Sequence, residues 1–201
     1  MGEAFRAVLI GGTSHVGKST TARVLAARLG WRCISTDSLA RHPGRPWRTP
    51  PDQVPAHVAA HFGTLTQDEL MASVLAHYRA NVRPIIERLV SEALAGEPLV
   101  LEGSALLPDI VGPLISPEIR AVWLTAPPEL IDARIRCESA FETCGAASRR
   151  LIEAFAERSK RYDTEIIAEV RRLGLPVVAV TFGTATDAAV DAVLAALRHS
   201  L

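Results

Sequence analysis

An apolar run that stops on two glycines constrains this chain more than any other feature. Residues 7–10 read Ala-Val-Leu-Ile, and Gly12-Thr13-Ser14-His15-Val16-Gly17-Lys18-Ser19 then matches G-x-x-x-x-G-K-[ST]. The pattern carries weight because a strand enters it and a helix leaves it. Glycines let the backbone curl so that N–H groups point inward. Together with the helix N-terminus, those groups cradle phosphate oxygens. Gly12, Thr13, Ser14, His15, Val16, Gly17, Lys18, Ser19 and Thr20 are therefore the expected phosphate-binding residues. Lys18 would reach the β- and γ-phosphates of a nucleotide, and Ser19 would offer its hydroxyl to Mg²⁺. His15, at a variable position of the loop, would either touch phosphate or point outward.

The rest of the chain alternates short apolar runs with helical patterns. Strands are expected at residues 4–10, 31–35, 98–102, 120–125 and 176–181. Helices are expected at 19–29, closed by Gly30, from the capping box Thr66-Gln67-Asp68-Glu69 to about 95, at 106–115, from 127, at 149–173 and at 187–198. Strands without polar alternation suit a parallel sheet covered on both faces. The reading is one doubly wound α/β domain over residues 1–201, with no repeat and no linker. Residues 41–55 hold five prolines and read as an exposed loop with a basic rim. His57 and His61, four apart on a helical stretch, lack a third ligand and read as solvent or loop packing.

A phosphate loop does not name a function. The sole asparagine is Asn81, inside a helix, so the base-reading motif of GTPase switches is absent. Asp109-Ile110-Val111-Gly112 spells D-x-x-G but lies well past the third strand. That strand ends in Glu102 and Gly103 rather than the acidic pair of motor-type ATPases. A small kinase needs an acceptor-binding carboxylate near the γ-phosphate and arginines to meet phosphoryl charge. Asp37, at the end of the second strand, fits the carboxylate, and Glu102 would support metal or acceptor. Ligands of open α/β sheets sit beyond such strand ends. Arg134, Arg136, Arg149, Arg150, Arg158 and Arg161 are the candidate arginines, with Arg136, Arg149 and Arg150 in an expected lid at about 136–150. Arg134 with Glu138, and Glu157 with Arg161, also have the spacing of surface ion pairs. Arg41, Arg45 and Arg48 follow Asp37 directly, in a substrate-side region at about 38–95, and would grip an anionic substrate.

Charge excludes little but suggests much. Lys and Arg total 22, as do Asp and Glu, so no bulk field attracts nucleic acid. Three cysteines without a Cys-x-x-Cys pair argue against a disulfide framework or zinc ribbon and fit a reducing cytoplasm. No apolar stretch approaches a membrane span. The expected partners are ATP and a small-molecule acceptor, with no nucleic acid or membrane, for a monomer or homodimer. Base contacts lie in loops that leave ATP and GTP both open.

The segments 11–20, Ser35-Thr36-Asp37-Ser38 and Leu101-Glu102-Gly103 followed by Leu107-Pro108 resemble the 2-phosphoglycerate kinase family. More broadly they resemble the nucleoside-monophosphate-kinase-like group of P-loop kinases, which includes chloramphenicol phosphotransferase. The resemblance implies a five-stranded parallel sheet of order 2-3-1-4-5 with helices on both faces, MgATP, a cleft over the strand ends and a helical lid after the fourth strand. Residues 128–135 are similar to the adenylate-kinase segment whose arginine stacks on adenine, and Arg134 takes that position. That family has a second arginine four residues on, where this chain has Glu138. Gly183 stands where a loop often lines the adenine. An antibiotic-modifying phosphotransferase on the same scaffold, and a nucleotide-binding regulatory protein with little acceptor-dependent turnover, are the alternatives.

Overall fold

The computed structural model describes residues 5–39, 42–47 and 53–198. Strands β1 (Ala7–Gly11), β2 (Arg32–Ser35), β3 (Leu99–Glu102), β4 (Ile119–Thr125) and β5 (Val177–Ala179) form one parallel sheet in the order β2-β3-β1-β4-β5. The helices are α1 (Lys18–Leu29), α2 (Thr36–Leu39), α3 (Ala56–Thr64), α4 (Gln67–His77), α5 (Arg83–Ala95), α6 (Pro108–Val111), α7 (Pro128–Glu138), α8 (Ala146–Arg172) and α9 (Thr186–Arg198). The predicted α/β class and strand order both hold.

Period-two geometry divides the strand residues between two cores. Val8, Ile10, Val100, Val122 and Leu124 face α1, α7 and α9, whereas Ala7, Leu9, Leu99, Leu101, Ala121 and Trp123 face α5 and α6. Both sheet faces are dry, which explains strands that are apolar throughout. Helix α8 contributes to both cores, with Phe155 and Ala156 on one side and Tyr162, Ile167 and Val170 on the other.

The helix expected to run unbroken from 66 to 95 does begin at the predicted capping box, with the Thr66 side chain and Glu69 bonded reciprocally. It then widens into a π-helical turn over Tyr78–Val82, where the Arg83 N–H donates five residues back to the Tyr78 carbonyl. Pro84 is the physical cause, because it has no N–H and its ring would strike the carbonyl four residues earlier. The described residues of the proline-rich stretch, 42–47 and 53–55, are also not simply an exposed loop. Trp47 is buried, edge-on to Phe155, with ring centroids 4.9 Å apart. A large aromatic has more to gain in the core than in water.

The functional edge depends on one close approach. Gly103 has φ +151°, and a Cβ there would lie 1.7 Å from the Thr36 Oγ1. Only glycine lets the ends of β2 and β3 meet so tightly. Gly103→Ala is expected to cost about 2–4 kcal/mol of stability, read by denaturant unfolding.

Candidate active site

The phosphate loop leaves β1 through Gly12, whose φ is +128° and whose missing Cβ would sit 2.3 Å from the Leu124 carbonyl oxygen. The Thr13 hydroxyl donates to the Ser159 carbonyl at 2.9 Å, pinning the loop to α8. Lys18 is buried, and its Nζ crosses the loop to donate to the Thr13 carbonyl at 2.6 Å. The Ser19 Oγ donates to Glu102 Oε1 at 2.9 Å. Glu102 is 2% exposed, yet its Oε2 has no hydrogen-bond partner. A buried carboxylate oxygen left unpaired is costly unless something else binds it. A hydroxyl beside a half-used carboxylate is a hard-oxygen donor set that fits Mg²⁺.

His15 does not point outward, although it lines the cleft at the loop. Its side chain is 6% exposed and its ring stands 5.9 Å from Trp47 and 6.1 Å from Phe155. Burial, then the charges of Arg45, Lys18 and Arg134, pull its pKa down to about 3. The imidazole is therefore neutral, and its 2.9 Å contact with Glu138 is a hydrogen bond rather than an ion pair. Nε2–H donates to Glu138 Oε2, while Nδ1 accepts from the Ser14 hydroxyl at 2.8 Å. Arg45 binds the other oxygen, Glu138 Oε1. The surface pair expected between Arg134 and Glu138 does not form. Arg134 Nη1 instead donates to the His15 carbonyl at 2.8 Å.

Two clefts open over the strand ends. The first, about 440 Å³, is lined by the phosphate loop, Arg134, and Val180 and Thr184 after β5. The second, about 470 Å³, is walled by Trp47, Tyr78, Phe155, Tyr162, His42 and Arg158. Ser14, Asp37 and Arg45 line both. Arg158 is 8% exposed, lies 4.8 Å over Phe155 and 5.1 Å over Phe62, and its Nη1 has no hydrogen-bond partner. Burial lowers its pKa from the ordinary arginine value, against the pull of Tyr78, Tyr162 and Asp37. Burial raises the phenols of Tyr78 and Tyr162, and the Tyr162 hydroxyl donates to the Ser104 carbonyl.

The remaining arginines separate cleanly. Arg136 bonds Asp132 at 2.6 Å and covers the Phe141 ring at 4.0 Å. Arg149 donates to the carbonyls of Phe141 and Glu142. Neither lines either cleft, nor does the exposed Arg150. The stretch expected to form the lid holds a 3₁₀ turn (Phe141–Thr143) between α7 and α8, with Arg136 and Arg149 gathered around Phe141. Arg161 pairs with Asp68 and Glu165 rather than Glu157, which takes Lys160. Gly183 is exposed in the turn after β5, beside cleft-lining Thr184 but not itself on the cleft. Arg41 and Arg48 lie outside the described residues. His61 packs against His42 and Phe62, and among the described residues no group of His, Cys, Asp and Glu is arranged to hold a metal. Among those residues no helix is long and apolar enough to cross a membrane.

Sequence reasoning missed Asp163. It accepts from the Thr125 hydroxyl at 2.6 Å, its Oδ1 is unpartnered, and burial raises its pKa from 3.8 to about 6. The available signal was its place beside Tyr162 on the inward side of α8.

No family model and no curated protein matches the sequence. Among solved structures the chain is similar to a sugar kinase from Janibacter sp. HTCC2649, at 18% identity over 98% of this chain and 96% of that one, TM-score 0.54. It is similar to deoxyadenosine kinase from M. mycoides with bound dATP, at 13% identity over 96% and 99%, TM-score 0.51. It is also similar to a gluconokinase from Sinorhizobium meliloti 1021, at 18% identity over 98% and 94%, TM-score 0.50. At such identities the likeness is one of fold alone.

Asp163 yields a pH prediction. Its raised pKa means that the native state holds the proton more tightly than the unfolded chain, so its contribution to stability falls as pH rises from about 4 to 6. Asp163→Asn is expected to be more stable than the parent by about 1–3 kcal/mol at pH 7.5, with the gap closing by pH 4 in parallel urea titrations.

Proposed function

We propose that this protein is an ATP-dependent kinase that transfers the γ-phosphoryl group to a small anionic acceptor bearing a hydroxyl. The observation that carries the reading is the meeting of two clefts, one on the phosphate loop and one walled by aromatics, at Ser14, Asp37 and Arg45. A bare nucleotide-binding regulator has no use for the second cleft.

The loop backbone and Lys18 hold the β- and γ-phosphates, and Arg134, bound to the His15 carbonyl and lining the same cleft, would meet the base. Ser19 and Glu102 would hold Mg²⁺, which when bound neutralises charge on the β- and γ-phosphate oxygens. Asp37 orients the acceptor hydroxyl and takes its proton. The bond from the γ-phosphorus to its bridging oxygen breaks as a bond to the acceptor oxygen forms. The protein's work is positioning and charge stabilisation.

Arg158 decides between an anionic acceptor and a neutral bulky one. The aromatic walls alone would suit an antibiotic-like ring. A buried guanidinium with an unpaired N–H instead favours a ligand that brings negative charge, since burying that charge without a partner is strongly unfavourable. Phosphoglycerate is one member of the resulting class, hydroxy acids and their phosphates.

The test is ADP release from MgATP, with MgGTP alongside, across 2-phosphoglycerate, other sugar acids, nucleosides, nucleoside monophosphates and chloramphenicol-type antibiotics. Stimulation by an anionic acceptor, lost in Asp37→Asn, is the expected result. Tight ATP binding with a flat panel would favour the regulatory reading, and stimulation by a neutral antibiotic would favour the phosphotransferase one. With the acceptor found, Arg158→Met is expected to raise its KM about 10- to 100-fold, the worth of a charge-assisted hydrogen bond, while the ATP KM stays within about 3-fold.

A further inference from the structure

The phosphoryl group would have to cross the junction of the two clefts, and the described arginines are unevenly available there. Arg136 and Arg149 are bound around Phe141, and Arg161 is tied to α4 and its own helix. Arg134 is directed to the His15 carbonyl at the outer edge of the loop, and Arg158 lines only the acceptor cleft. Arg45 is the arginine that lines both clefts, alongside Asp37 and Ser14.

Its position is also determined rather than loose. Its guanidinium binds Glu138 and lies 5.7 Å over the ring of Trp47, whose burial anchors the segment that carries it. Glu138 in turn accepts from His15 of the phosphate loop, so Arg45 is held by reference to the loop backbone itself. A carboxylate at the mouth of a phosphate cleft repels the ligand unless it is neutralised. Arg45 on one oxygen offsets the charge of Glu138, and the neutral His15 donates to the other. The Arg45 side chain is 45% exposed where the two clefts meet.

We infer that Arg45 is a catalytic residue that contacts the transferring phosphoryl group, and that Glu138 is a positioning residue that keeps it at the junction. This rests on the kinase reading above. Charge spread over the phosphoryl oxygens in the transition state exceeds what Lys18 alone can meet, and a planar guanidinium fork matches two such oxygens. The role differs from gripping the acceptor, because it acts on the group in flight rather than on ground-state affinity.

The experiment needs no knowledge of the acceptor. Calorimetry compares the affinity of the full chain for MgADP with that for MgADP plus tetrafluoroaluminate, a planar mimic of the transferring group. The parent is expected to bind the mimic complex at least about 100-fold tighter than MgADP. Arg45→Met should erase most of that gain and Arg45→Lys a part of it, both with MgADP affinity within about 3-fold of the parent. Glu138→Gln, which removes the charge and leaves one acceptor oxygen where there were two, should reduce the gain about 5- to 10-fold, and Arg45→Met/Glu138→Gln should be no worse than Arg45→Met alone. An undiminished gain in Arg45→Met would overturn the inference and leave the kinase reading standing. A parent that does not bind MgADP, or shows no gain with tetrafluoroaluminate, would overturn both. Once an acceptor is known, the same variant must lose kcat; a rise confined to the acceptor KM would reassign Arg45 to acceptor binding.

Discussion

The parallel register of β2, β3 and β1 is the constraint on which the site depends. Ser35 and Ile10 are both level with Glu102, on either side of it. The three strands therefore end on one line. The residues that follow them, Asp37 after β2, Glu102 and Ser104 at β3, and the phosphate loop after β1, reach a common edge without any long excursion of the chain. Glu102 can meet the Ser19 hydroxyl because parallel strands put both carboxyl ends on the same side. Gly103 then turns away sharply enough to let Thr36 close the gap.

That edge gathers charges the fold would be more stable without. Lys18, Glu102, Arg158 and Asp163 are all buried, and three of them carry a polar atom with no partner. Desolvated groups of this kind are unfavourable until a ligand or proton completes them. The cost is consistent with an anion-binding site held ready in advance: a groove already dehydrated and already charged need not reorganise when its ligand arrives. His15 shows the complementary strategy. It stays neutral because it is buried among cations, so it can hold Glu138 by a hydrogen bond without adding to the positive field.

What could be read from the sequence was local. The phosphate loop, the Thr66 capping box, the glycine at the end of α1 and the five apolar runs each declare themselves within a few residues, because turn sterics and helix capping act over that range. The arginines of α7 and α8 did not sort themselves, since i,i+4 spacing to a carboxylate looks the same on a surface and beside a cleft. Glu138 was assigned to Arg134 by spacing, but the chain folds Arg45 back from more than ninety residues away to take it. The π turn was legible in principle from Pro84, and Arg158 from its place on the stripe Phe155, Arg158, Ser159 and Tyr162, where a cation among inward-facing residues is out of keeping with a solvated face.

Helix α8 ties the two clefts to one another. Within two turns it binds the phosphate loop through the Ser159 carbonyl, lines the aromatic-walled cleft with Arg158, reaches the Ser104 carbonyl after β3 through Tyr162 and takes the hydroxyl of Thr125 at the end of β4 through Asp163. Phe155, one turn earlier, packs against both Trp47 and His15. A shift of α8 along its axis would therefore move the phosphate loop, the aromatic wall and the segment bearing Arg45 together. Packed helices slide as units rather than deform residue by residue. Anything that displaces α8 therefore reaches both clefts through this one element.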